Sequence, residues 1–85
     1  MKKNNFYKVT VKVQNGLGVL ARMTIMLRKF NVNIHSMDAK PIDKTDKFYH
    51  IHFTLESKKN EKEMGLVIEK LARLIPVIKV NCAKI

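Results

Sequence analysis

The chain has 85 residues, 46% of them hydrophobic, and a formal charge of +10 from 17 Lys and Arg against 7 Asp and Glu. That length holds one modest core, so a single domain over residues 1–85 is expected, and a core-bearing interface with a second copy would help to stabilise it. No apolar run is long enough to cross a bilayer, Met1-Lys2-Lys3 leads into polar residues rather than a signal sequence, and the single Cys82 excludes an internal disulfide and a cysteine zinc knuckle.

The expected location is therefore the cytoplasm, with no membrane contact. The charge raises nucleic acid as a partner. Yet the cations are nearly all lysine, spread along the chain, and Arg22, Arg28 and Arg73 are the only arginines. Scattered lysine reads as a solvated surface, whereas arginine is the better tool for base edges and phosphate forks. Nucleic-acid binding stays an alternative and not the leading reading.

Residues 1–5 are polar and expected to fray. Tyr7, Val9, Val11 and Val13 then alternate with Phe6, Lys8, Thr10 and Lys12, the period of a half-buried strand. The run Asn15-Gly16-Leu17-Gly18-Val19-Leu20-Ala21-Arg22 follows. Two glycines in three residues favour a sharp turn, and a helix starts directly after it. The first amide N–H groups of a helix lack internal partners, and with the helix dipole they form a small anion seat suited to a phosphate or carboxylate. An ordinary tight strand-to-helix turn is the plainer account of the same residues.

From Val19 to Phe30 the period becomes helical. Leu20, Met23, Leu27 and Phe30 form the stripe, widened by Val19 and Met26, with Arg22, Arg28 and Lys29 left to solvent. Asn31 tolerates the left-handed conformation and is the expected stop. Asn33 to Pro41 reads as a second strand, Ile34 and Ser36 on one face and His35, Met37 and Ala39 on the other. A polar turn over residues 42–47 leads to a third strand, Phe48 to Glu56. Asn60 and Glu63 have the spacing of a capping box. The helix behind them buries Met64, Val67, Ile68, Leu71, Leu74 and Ile75, and Pro76 closes it. In a last strand Ile78, Val80 and Cys82 alternate with Val77, Lys79 and Asn81.

The order β-α-β-β-α-β predicts an α+β, ferredoxin-like sandwich: an antiparallel sheet of order 4-1-3-2 with both helices on one face. That fold hosts many functions, so the site must decide. No Ser-His-Asp order, carboxylate pair or Walker-type loop is present, and no motif calls for a cofactor. The residues 13–22 invite comparison with the phosphate loop of acylphosphatases, but Gln14 and Gly16 are not adjacent and Arg22 falls too late. His50 and His52 share one strand face, and His35 on the neighbouring strand would complete a three-imidazole set for a metal-responsive regulator. Nickel-responsive repressors carry such a His-x-His strand with a nearby cysteine, whereas Cys82 here falls on the far sheet edge. An RNA-reading sheet of this topology needs stacking aromatics on the two central strands, and Phe6 and Phe48 alone are a thin platform.

Asn15, Gly18, Leu20 and Arg22, followed by Asn33-Ile34-His35-Ser36-Met37, resemble the paired motifs of the ACT domain in acetolactate synthase small (regulatory) subunits. The likeness covers nearly the whole chain, with Met37 where the family has leucine. It implies a regulator rather than an enzyme: a homodimer or higher homo-oligomer that binds a branched-chain amino acid such as valine and modulates the large catalytic subunit of acetolactate synthase. Carried over by residue, Asn15 would bond the polar end of the effector, and Gly16 to Val19 would offer N–H groups to its carboxylate. Leu17, Val19, Leu20 and Ile34 would supply apolar surface, while Asn33 and Ile34 would come from the second copy. A stand-alone ACT protein is the alternative within the same family.

Overall fold

The computed structural model describes residues 4–14, 17–42, 44, 47–74 and 77–85, with the backbone alone at Leu17. The elements are β1 (Asn5–Gln14), α1 (Leu17–Lys29), β2 (Asn33–Pro41), β3 (Phe48–Ser57), α2 (Glu61–Ala72) and β4 (Val77–Lys84). The strands form one antiparallel sheet of order β2-β3-β1-β4, which is the expected order read from the other edge.

Alternation in β1 and β3 builds the floor of the core. Tyr7, Val9 and Val11 sit opposite Leu55, Phe53 and Ile51, and all six are buried. The helices close it with Val19, Met23 and Leu27 from α1 and Met64, Val67 and Leu71 from α2. Spacings of three and four residues put each set on one helix face. The opposite face of the central strands carries Lys8, Thr10, Lys12, His50, His52 and Thr54, with Phe6 and Phe48 at its two ends.

Two of the helix ends that the sequence marks, the stop of α1 and the start of α2, are built as their chemistry requires; Ile75 and Pro76, expected to end the second helix, lie outside the described residues. Asn31 has a φ of 60°. Its N–H donates to the Arg28 carbonyl (3.0 Å), and the Val32 N–H donates to the Leu27 carbonyl (2.9 Å). This double closure is the Schellman motif, with buried Val32 and Leu27 as its apolar pair. At α2, Asn60 Oδ1 accepts from the Glu63 N–H (2.8 Å), and Glu63 Oε1 accepts from the Asn60 N–H (3.1 Å). Arg28 and Lys29 in the last turn of α1 suit its negative end.

Three expectations change. Asn5 already pairs with Ser57, so the polar start is shorter than five residues. Helix α1 begins at Leu17 rather than Val19, which takes Gly18 into its first turn. The edge strands are also not regular. Ile34 faces Leu55 and Ser36 faces Thr54, leaving His35 as an extra residue; on β4, Lys12 faces Lys79 and Val13 faces Val77, leaving Ile78 extra. A bulge shifts the alternation by one residue. Ile34, Met37 and Ala39 therefore share the helix side, opposite Leu55, Phe53 and Ile51, while His35 and Ser36 turn to the open face.

Candidate functional site

The motif on α1 divides into parts with different surroundings. Asn15 and Gly16 lie outside the described residues, as does the Leu17 side chain. Gly18 stands in the first helical turn, and a Cβ built on it would meet no atom within 4 Å. Among the described residues no glycine has positive φ. The fold therefore does not demand glycine at 18; what the residue leaves is open space above the backbone. Val19 is 2% exposed, so its side chain belongs to the core and offers no apolar surface to a ligand. Leu20 is half-buried against the same core. No acidic residue sits in the first turn of α1, so the positive end of its dipole is not answered from within that turn.

The second motif lies at the other end of the sheet. Asn33 opens β2 opposite Glu56, which in turn faces Phe6 on β1. Leu17 follows Gln14 by three residues, so α1 starts within about 11 Å of the far end of β1. Phe6 and Gln14 are eight residues apart on β1, about 26 Å at the rise of a strand. One protomer therefore does not bring Gly18 and Asn33 into one pocket. Ile34 is half-buried and packs against the core from the edge.

Asn33 has a setting of its own. Glu56 accepts hydrogen bonds from Asn4 Nδ2 and pairs with His35 Nε2, and the Asn33 side chain also bonds it. The His35 hydrogen bond, followed by that from Asn4, holds the Glu56 carboxyl below its ordinary value. The His35 ring also meets Phe6 edge to face at 5.3 Å. Asn33, Asn31, Asn4, Glu56 and Glu63 line a pocket of about 460 Å³. Glu56 carries no motif in the sequence; its one signal there is an acid at the end of the polar side of β3.

The histidines do not converge. His50 and His52 lie close on β3, their centroids 6.1 Å apart, but His35 is engaged with Glu56 at the other end of that strand. Cys82 faces Val9 and so lies on the helix side, away from all three. Desolvation there, with Glu61 nearby, pushes its thiol up from the ordinary value. Among the described residues no three His, Cys, Asp or Glu side chains are placed to hold a metal ion. His35 shares the open face with His50 and His52, but its ring is held by Glu56 at the end of β3, so the expected three-imidazole set does not form among the described residues.

The sequence model of the ACT domain matches residues 3–81. The chain belongs to the ACT domain family. ACT domains are regulatory modules that bind small ligands, and they commonly dimerise and bind amino acids. The fold agrees with solved ACT structures. The ACT domain from the GTP pyrophosphokinase of Chlorobium tepidum superimposes with a TM-score of 0.76 at 16% identity, over 95% of this chain and all of that one. An ACT domain protein from Streptococcus pneumoniae gives 0.75 at 13% identity, over 94% and 89%. A homoserine dehydrogenase from Thiobacillus denitrificans gives 0.76 at 22% identity, over 98% of this chain but 18% of that one. No curated protein matches the chain. No helix of this ACT domain is long and apolar enough to cross a membrane.

Proposed function

We propose that this ACT domain is a cytoplasmic, non-catalytic regulator, the small subunit of acetolactate synthase, which senses a branched-chain amino acid such as valine between two copies of itself. The observation that carries the reading is the separation of the two motifs on one protomer, about 26 Å along β1. A site that uses both needs a second chain.

Strand β2 offers a way to supply it. It is an edge strand, and its inward residues are poorly covered: Met37 is 44% exposed, whereas Phe53 opposite it is buried. Two-fold pairing of β2 with β2 of a second copy is antiparallel. It sets Asn33 and Ile34 of one copy beside the Pro41 end of the other. Pro41 faces Tyr49, which faces Val13, so that is the end at which β1 leads toward Gly18. An amino acid there would lay its carboxylate on the first N–H groups of α1. Each such charge-assisted hydrogen bond is worth about 1.5–3 kcal/mol. Leu20 and Ile34, both half-buried, suit a short aliphatic side chain. Because each copy gives half the pocket, effector binding and dimerisation are linked.

Calorimetry with valine, leucine and isoleucine, at concentrations where the protein is dimeric, tests the sensing part; heat is expected with at least one, and none with any of them refutes it. Capture of an acetolactate synthase large subunit, with a change in its activity, tests the subunit part. Amino-acid binding without that capture leaves a stand-alone ACT sensor.

A further inference from the structure

The open face of the sheet carries a feature that the amino-acid reading does not use. Lys40 faces His50, His50 faces Lys12, and Lys12 faces Lys79, so one row of basic side chains crosses all four strands. Neighbours in such a row stand about 5 Å apart, and like charges directly opposite one another disfavour the sheet. Part of the row has a partner: Asp38 Oδ2 lies 3.6 Å from Lys40 Nζ. The Lys12 ammonium also lies 5.7 Å from the centroid of the Phe48 ring. Toward β4 there is no such answer. Lys12, His50 and Lys79, with Thr10 and Asn81 from the next row, line a depression of about 240 Å³ that no described carboxylate enters. Glu56, the other acid among the described residues of this face, is held by His35 and Asn4 at the far end of β3.

Two lysines and an imidazole converging from three adjacent strands, joined by the Asn81 amide, make a donor set for an oxyanion with several oxygens, while the Thr10 hydroxyl at the rim is shared with His52 Nδ1 at 3.2 Å. Lysine binds phosphate as a point charge and needs no fork geometry. We propose that this depression on the open face of the sheet binds phosphate groups, those of an inorganic polyphosphate or a nucleoside polyphosphate. The position is separate from the amino-acid site: Thr10 and Lys12 alternate with the core residues Val9, Val11 and Val13, and Lys79 faces Lys12, so the depression lies on the sheet face away from the core.

The test is calorimetry at low salt with tripolyphosphate and with ATP, on the wild-type protein and on K12Q, K79Q, the double variant and the control K62Q, each verified as folded by circular dichroism. Both ligands are expected to bind, with affinity falling steeply as salt rises. K12Q and K79Q should each weaken binding by about tenfold or more, and K62Q should not. Tighter binding of ATP than of tripolyphosphate assigns a nucleotide, and equal binding assigns bare polyphosphate; either supports the site. Failure of both ligands at low salt overturns it. So does wild-type affinity in the double variant, or an equal loss in K62Q, which would mean attraction by net charge alone. Binding of a single-stranded RNA oligomer without tripolyphosphate would overturn it too, in favour of a nucleic-acid surface.

Discussion

The two helices start in opposite ways. Helix α2 closes its own N-terminus: Asn60 and Glu63 bond each other's backbone N–H groups, and Glu61 and Glu63 place negative charge in the first turn. Helix α1 has no acid in its first turn and a glycine with open space above it. The positive end of α2 is answered by its own Asn60 and Glu63, whereas the described first turn of α1 holds no acid that could do the same. The difference separates a structural device from a candidate binding surface, although both helices bury comparable apolar stripes in one core.

If the contrast lies in the starts and not in the packing, truncation of either stripe should be equally damaging. Leu27→Ala and Leu71→Ala should each lower unfolding free energy by about 2–5 kcal/mol, read by urea denaturation. Gly18→Asp gives α1 the acid that α2 already has. It should weaken amino-acid binding by about a hundredfold or more in calorimetry, through like-charge repulsion at the carboxylate seat. Its midpoint of thermal unfolding should stay near wild type, because the new side chain meets open space. A large loss of stability in that variant would mean that the turn is structural after all.

Opening the closed end has a smaller effect. Asn60→Ala should cost about 1 kcal/mol of stability and leave effector binding unchanged. Gly65→Ala, inside α2 and also free of contacts at the added Cβ, should stabilise by about 0.5–1 kcal/mol. The pH dependence sharpens the picture at the Asn33 end. Glu56 is held below its ordinary carboxyl value of 4.5, chiefly by the hydrogen bond from His35. Its contribution is thus present above that value and is lost as pH falls through the depressed one. Urea midpoints of Glu56→Gln should fall less than those of wild type over that acid range.

Local features were readable where neighbouring residues alone create them. The alternation from Tyr7 to Val13, the left-handed stop at Asn31 and the Asn60–Glu63 box are short-range chemistry, and the structure holds all three. The bulges at His35 and Ile78 were not readable. Strict alternation assigns faces from a single starting point, so one inserted residue reverses every later assignment. That error put Met37 with His35, although Met37 faces Phe53 across the core side. Of the candidate site, the residue types were readable and their distribution was not. Val19 turned inward, His35 went to Glu56, and Asn33 came to lie far from Gly18.

The order of elements, the inward faces of the central strands, the helix caps and the ACT motifs follow from the chain itself, because each rests on periodicity or on contacts within a few residues. The register across four strands was decided only in three dimensions. Cross-strand pairing joins residues tens of positions apart, and the bulges shift it. That register sets Lys40, His50, Lys12 and Lys79 in one row and divides the two ACT motifs between opposite ends of the sheet.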